Sequence, residues 1–413
     1  MTCGRAPFRK DSITTFLRSL AAGKLLRRGR FSILQYTMFE TRSIPKIEYK
    51  DFSLKLHERA EQLDRVVKAQ LELTYRCNLH CVHCYTDPYN AKEFFPRELS
   101  FKEILRLIDE MRNIGIIWLN LTGGEIFMHP RFFDIYEYAY HKGFLLMLYS
   151  NGTLFTKAII ERLKRLPPFS IDVSCHSILE DSFEKFTQVP GSFRAFMRGM
   201  DLLKHSGLPF CFKTTAMKWN KEELPQIKRF IESLGQKFSF STALSPRLNG
   251  DLSSLDHRLS TEEINALDDD RYGTVDAASC TDPSDWLSSP SDRLFRCGCA
   301  TNTIHINAWG ELGTCTLQYE HRASLRDYSL EDAIDKVFHA VRARRYQSDS
   351  PCRACHVRRF CEKKPSEAHW ECGSAEAPIP YNCDVALARA ERLLRKPLLH
   401  PLRGIQRQEA QRQ

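Results

Sequence analysis

Leu71-Glu72-Leu73-Thr74-Tyr75-Arg76-Cys77-Asn78-Leu79-His80-Cys81-Val82-His83-Cys84-Tyr85 decides how this chain is read. Its opening residues, Leu71 to Tyr75, form an apolar, β-prone run. Three cysteines follow at C-x3-C-x2-C spacing. Thiolates normally hold all four corners of a [4Fe–4S] cluster. One loop here offers three of them and nearby sequence offers no fourth, which leaves one iron open to another ligand. Zinc is the competing reading. It favours four ligands in paired C-x2–4-C or C/H arrangements, and His80 or His83 can supply the missing one.

With Tyr85 directly after the third cysteine, the motif resembles the signature of the radical S-adenosylmethionine (SAM) superfamily. The resemblance implies that the amino and carboxylate groups of SAM chelate the open iron. It also implies that reduction of the cluster cleaves SAM to a 5′-deoxyadenosyl radical, which takes hydrogen from a substrate. Such a radical attacks almost any C–H bond, so cluster, SAM and substrate have to be held together away from water. The cofactor carries the chemistry and the fold positions it.

Outward from the cysteines, strand-like runs at 69–75, 115–122, 143–150, 169–175, 208–217 and 236–241 alternate with helical patterns. Ser100-Phe101-Lys102-Glu103 reads as a capping box that opens a helix with Ile104, Leu107, Ile108 and Met111 on one face. Phe132, Phe133, Tyr136, Ala139 and Tyr140 line the next helix, and Phe193, Phe196, Met200 and Leu203 mark a later one. The pattern predicts an α/β fold, a partial (β/α)6 TIM-like barrel over 69–245. Barrel chemistry sits at the carboxyl ends of strands, where each further motif falls.

Leu121-Thr122-Gly123-Gly124-Glu125 ends the second strand. Two glycines let the backbone approach a ligand closely, and Glu125 offers a carboxylate to a cationic amine. The stretch is similar to the family's GGE motif, with His129-Pro130 where many relatives have the same pair; by itself it reads as a turn with a surface glutamate. Tyr149-Ser150-Asn151-Gly152-Thr153 closes the third strand and resembles the family's turn near the SAM ribose and methionine, although Asn-Gly alone is an ordinary turn signal. Ser174 ends the fourth strand, where relatives place a serine against SAM. Lys213 ends another strand, either facing the SAM carboxylate or as a surface lysine. The resemblance thus sets Tyr85, Gly123, Gly124, Glu125, Ser150, Asn151, Ser174 and Lys213 around SAM. His176 is the candidate for touching substrate or moving protons, against the alternative of a packed or solvent histidine.

The flanks and composition narrow the class. The 413 residues carry a net charge of +9, but 27% are charged with both signs present. That mild bias fits an anionic ligand or acidic peptide, and no nucleic-acid-binding motif is visible. No run of eighteen apolar residues predicts a transmembrane helix. Fifteen cysteines clustered in short spacings point to metal rather than disulfides, and hence to a reducing, cytoplasmic compartment. Residues 1–68 read as a basic N-terminal extension and lead-in helix. Ile13, Phe16, Leu17 and Leu20 follow helical spacing there, with the alternative that the extension is poorly ordered. Residues 246–296 read as a connector along the barrel mouth, with a helical patch around 260–268 from Ser260 and a structural Cys280.

Residues 297–384 are cysteine-rich. Ile304, Ile306 and Leu312 around Trp309-Gly310 suggest a hairpin. Cys297, Cys299, Cys315, Cys352, Cys355, Cys361, Cys372 and Cys383 would suffice for two four-thiolate clusters. The pattern resembles the SPASM extension of radical SAM enzymes, found in subtilosin, PQQ and mycofactocin maturases, which carries one or two auxiliary Fe–S clusters. The resemblance implies an outer cluster on Cys352, Cys355, Cys361 and Cys383, and an inner one on Cys297 and Cys315, with Cys299 a further candidate. The family has another cysteine shortly after the one at Cys361; this chain reads Glu362-Lys363-Lys364-Pro365, and Cys372 is the candidate replacement. Zinc in one or both sites is the alternative. Residues 385–413 read as a basic C-terminal helix or tail.

Two reactions compete. SPASM relatives mostly modify ribosomally made peptides, and some haem-pathway relatives act on small-molecule cofactor precursors. A sulfatase-maturase role is disfavoured, because those enzymes have an aspartate after the cysteine matching Cys315 and here stands Thr316. No leader-binding domain is patterned in the first 68 residues, so a separate small protein is expected to present a peptide. A flavodoxin- or ferredoxin-like electron donor is implied as well. A non-catalytic Fe–S or zinc module is the third reading.

Overall fold

The run that precedes the cysteines forms strand β1 (Lys68–Thr74). Ala69, Leu71 and Leu73 are fully buried in the main core, so the two-residue strand period turns Lys68, Gln70 and Glu72 to the other face. The same alternation repeats along β2 (Trp118–Gly123), β3 (Leu145–Ser150), β4 (Ser170–Ser174) and β5 (Phe210–Thr215), ending in the two-residue β6 (Phe240–Ser241). Each pairs in parallel with its predecessor. Parallel pairing requires crossovers, and helices supply them.

The structure, a computed structural model, describes residues 48–272, 289–295, 300–318, 320–395 and 397–398. The chain divides into two units, residues 1–65 and 66–413. In the first, helix α1 spans Tyr49–Gln62. In the second, α2 (Phe101–Asn113), α3 (Phe132–His141), α4 (Lys157–Arg165), α5 (Glu180–Thr187), α6 (Ser192–Lys204) and α7 (Leu224–Ser233) lie between the strands. The capping box read at Ser100 is present: the Ser100 N–H donates to Glu103 at 2.7 Å and the Glu103 N–H donates to Ser100 Oγ at 3.3 Å. Ile104, Leu107, Ile108 and Met111 of α2 are fully buried, each worth about 1.5–3 kcal/mol of apolar burial.

The hairpin expected around Trp309-Gly310 is formed by β7 (Thr303–Ile306) and β8 (Glu311–Gly313), with Ile306 opposite Leu312. Gly310 holds φ +82° at the turn, a value that favours glycine. On its other edge β7 runs parallel to β1, pairing His305 with Gln70. The hairpin therefore belongs to the barrel's sheet, whose order is β6-β5-β4-β3-β2-β1-β7-β8-β9, the last being Ala323–Ser324. The helices of the C-terminal half are α8 (Thr261–Tyr272), α9 (Leu330–Ala343), α10 (Pro365–Cys372) and α11 (Pro380–Leu394). Ser260 caps α8 through Glu263. Among the described residues no helix is long and apolar enough to cross a membrane.

Candidate active site

Immediately after β1 the chain enters the cysteine loop, and the end of β2 packs against that exit. The Gly124 N–H donates to the Thr74 carbonyl at 2.7 Å and the Glu125 N–H to the Arg76 carbonyl at 2.9 Å. A Cβ on Gly123 would lie 2.2 Å from the Thr74 oxygen, and one on Gly124 would lie 2.4 Å from the Arg76 oxygen. Both distances are inside van der Waals contact. The glycines thus allow one backbone to touch another, which sets Glu125 beside Cys77.

The loop is tied down from four directions. Asn90 accepts from the Cys77 N–H and donates to the Cys77 carbonyl, both at 3.0 Å. Thr187 and Phe186 accept from the N–H groups of His80 and Val82 at 2.9 and 3.1 Å. Arg247 donates to the carbonyls of Val82 at 3.0 Å and Cys84 at 3.4 Å, and the neighbouring Leu248 N–H donates to the Tyr85 carbonyl at 2.9 Å. The turn after β3 completes the set. Asn151 donates to Asn78 Oδ1 at 3.0 Å and to Cys77 Sγ at 3.8 Å, and Asn78 donates to Thr153 at 2.8 Å.

Burial makes the three thiols poor acids. Cys77 is pushed up to about 12, first by burial and then by the charge of Glu125. Cys81 and Cys84 are raised mainly by burial, and Cys81 also feels both other thiols. Such groups reach the thiolate form when a metal takes the place of the proton. Among the described residues no three His, Cys, Asp or Glu side chains converge to grip a single ion; a cluster instead spreads its thiolates over separate irons.

Glu125 is fully buried. It accepts from the Asn151 N–H at 2.7 Å, the Phe127 N–H at 3.3 Å and the Ser150 hydroxyl at 3.0 Å. Burial lifts its carboxyl to about 7 against the opposing pull of those bonds. A buried carboxylate with no cation beside it suits incoming N–H donors. Ser150 and Asn151 therefore act through Glu125 in this structure.

The remaining sequence candidates lie farther along the sheet. Ser174 ends β4 opposite Lys213 of β5. Lys213 Nζ lies 3.2 Å from Asp172 and 3.3 Å from the centre of the Tyr149 ring. His176 is buried, and its Nδ1 accepts from the Thr215 N–H at 3.1 Å. Its ring meets those of His83 at 4.8 Å and Phe186 at 5.1 Å, and burial pushes it down to about 4, so it is neutral at ordinary pH. Tyr85 is half-buried; its phenol is raised by burial and then by the charge of Glu72.

In the C-terminal half, Cys352, Cys355, Cys361 and Cys383 stand within one another's electrostatic reach, and burial raises the last three. Lys363, nearly inaccessible to solvent, donates to Cys352 Sγ at 3.6 Å and to the Glu376 carbonyl at 3.2 Å. Cys372 is exposed, donates to the Pro378 carbonyl at 3.5 Å, and has Glu371, Lys363 and Arg258 as its charged neighbours. Lys364 pairs with Glu367 at 2.8 Å and feels the charge of Cys315. Cys280, Cys297 and Cys299 lie outside the described residues, as do residues 1–47 and the tail from 399.

Sequence reasoning did not single out Asn90, Arg247, Lys363, Glu72 or His305. For the first three no local signal exists, because each acts on residues brought near by folding. A glutamate inside an apolar strand, facing away from its Leu71 and Leu73 neighbours, was the signal available for Glu72.

Comparison with known proteins places this geometry. The sequence profile of the radical SAM superfamily matches residues 71–231. The AdoMet-dependent heme synthase of Methanosarcina barkeri is 33% identical over 180 residues, 44% of this chain and 51% of that protein. The subtilosin biosynthesis protein AlbA of Bacillus subtilis is 30% identical over 178 residues, 42% of this chain and 38% of its own length. The chain spans about half or less of the length of these curated relatives. In fold, it is similar to Streptococcus suis SuiB bound to its precursor peptide SuiA, with a TM-score of 0.60 at 13% identity, covering 88% of this chain and 85% of SuiB. Domains of this superfamily use a [4Fe–4S] cluster and SAM, and the half-buried loop thiols and the buried Glu125 are a donor set that fits both. The chain carries a radical SAM domain over residues 71–231.

Proposed function

We propose that this protein is a radical SAM enzyme that abstracts hydrogen from a ribosomally made peptide and thereby modifies it. One observation carries the reading: three half-buried thiols on one loop, with Asn151 tying Cys77 to the buried carboxylate Glu125. Cys77, Cys81 and Cys84 would hold the cluster, and Glu125 would accept N–H bonds from the SAM amino group. When bound, these groups supply a 5′-deoxyadenosyl radical. The chain's own part is positional. Ser150 and the Asn151 N–H orient the Glu125 carboxylate, Asn90 and Arg247 hold the cysteine loop, and burial excludes water.

The peptide substrate is supported by the relative AlbA, named for bacteriocin biosynthesis, and by a shared fold with SuiB, whose structure contains a precursor peptide. A second reading, chemistry on a tetrapyrrole-like small molecule, is favoured by the heme synthase relative at 33% identity. The cysteine-rich half would carry one or two auxiliary Fe–S clusters. Cys352, Cys355, Cys361 and Cys383 are the outer set, and Cys297 and Cys315 the inner, with Cys299 and Cys372 as its further candidates. A flavodoxin- or ferredoxin-like donor would reduce the protein in the cytoplasm, and a small separate protein would present the peptide.

The test is an anaerobic reconstitution with iron and sulfide counted in wild type and in the triple variant Cys77/Cys81/Cys84→Ala. About twelve irons mean three clusters and about eight mean two, and the variant loses about four in either case. Zinc with little iron overturns the radical reading. Formation of 5′-deoxyadenosine stimulated by a peptide encoded beside the gene, and not by a porphyrin, selects the first substrate class; the reverse selects the second.

A further inference from the structure

Glu72 has no solvent exposure at all, yet neither carboxylate oxygen has a partner at good hydrogen-bond geometry, the Tyr75 hydroxyl being the donor within its reach. Among the described residues it is the one carboxylate in that condition. Its ion-pair neighbour is His305, whose Nε2 lies 3.4 Å from Oε1. His305 is 2% exposed, and both of its ring nitrogens are also without partners. The two residues come from paired strands, β1 and β7, on the face turned away from the apolar core.

The other acids near this face have their needs met. Asp172 has Lys213 at 3.2 Å, Glu125 has its three donors, and Glu98 has Arg76 at 3.0 Å. A buried carboxylate so incompletely paired is costly, and such a group in a native fold calls for an explanation. The charge of Glu72 reaches the phenols of Tyr75 and Tyr85, the latter next to Cys84. The site therefore combines one carboxylate, one imidazole and two phenols within reach, close to the cysteine loop.

We propose that Glu72 and His305 bind a protonated primary amine of the substrate inside the barrel. An ammonium has three N–H donors. Two carboxylate oxygens and one imidazole nitrogen are three acceptors. A hydroxyl would leave at least one of these acceptors empty. Calling the amine the substrate's rests on the radical-enzyme reading; the amine site itself does not.

The experiment uses reconstituted, SAM-loaded protein and two probes, Nα-acetyl-lysine amide and Nα-acetyl-norleucine amide, which differ in the terminal ammonium. Binding is followed by ligand-observed NMR titration. The lysine probe binds at least about tenfold more tightly than the norleucine probe in wild type. Glu72→Gln abolishes the preference, Glu72→Asp keeps most of it, and His305→Gln weakens it. Equal binding of the two probes to wild type overturns the proposal, and that comparison needs no variant to fold. A preference retained in a folded Glu72→Gln protein overturns it as well. Iron content and SAM binding are read on the same samples, so their failure with the lysine preference intact refutes the radical reading alone.

Discussion

Replacing Glu125 by Gln tests the SAM site most directly. The carboxyl titrates near 7 rather than at its ordinary 4.5, because the group is fully buried. At 1.36 kcal/mol per pH unit that difference is about 3 kcal/mol. A folded-state pKa above the unfolded one means that stability is fully present below pH 4.5. It is then lost by about 3 kcal/mol as the pH rises to 7 and beyond. N–H donors of a SAM amino group placed against the carboxylate favour its charged form and draw the proton off. SAM affinity therefore rises by at least about tenfold per unit as pH climbs towards 7. Glu125→Gln has no proton to release at this position, so its affinity changes less steeply with pH and is weaker by about 1.5–3 kcal/mol, the range for a hydrogen bond to a charged group. Isothermal titration of reconstituted protein with SAM from pH 6 to 8.5, repeated in buffers of different ionisation enthalpy, reads both affinity and proton release. A wild-type affinity that does not change with pH, or a Gln variant with the same slope as wild type, refutes the reasoning.

Other perturbations follow from single contacts. Gly124→Ala places a methyl 2.4 Å from the Arg76 oxygen and 2.7 Å from the Tyr75 oxygen, both backbone atoms that cannot yield cheaply; reconstituted protein should lose SAM binding in equilibrium dialysis while retaining helix content by circular dichroism. Arg247→Gln releases the carbonyls of Val82 and Cys84, and the iron held by the first cluster should become more easily extracted by chelator than in Arg247→Lys or wild type. Arg258 makes a two-pronged, largely buried pair with Glu371 at 2.6 and 2.8 Å. Removing it as Arg258→Ala should cost about 3–5 kcal/mol by stranding the partner charge, read as a shift in the urea midpoint; a shift under 1 kcal/mol would disprove the pairing's importance.

Periodicity and caps made much of the fold legible. Leu71 and Leu73 alternate with polar neighbours, Ser100 and Glu103 reach across one helical turn, and Ile306 faces Leu312 over a two-strand hairpin; each of these interactions lies within a few residues of its partner. The cysteine spacing and the GGE stretch were legible for the same reason, since a chelating loop and a strand-end turn are local. Less legible was the extent of β6, read over 236–241 and found at Phe240–Ser241. An edge strand is limited by what it pairs with rather than by its own residues.

Local chemistry, then, determined on its own that this chain builds parallel β/α units and sets three thiols after the first strand. Only the tertiary structure decided that β7 joins β1, which brings His305 to Glu72 across more than two hundred residues. It also decided that Arg247 closes on the cysteine loop, that Lys213 is matched with Asp172, and that Gly123 and Gly124 accommodate backbone. These are long-range pairings whose energy comes from burial and charge compensation. Neither can be read from neighbours in sequence, because both depend on which distant groups share a space closed to water.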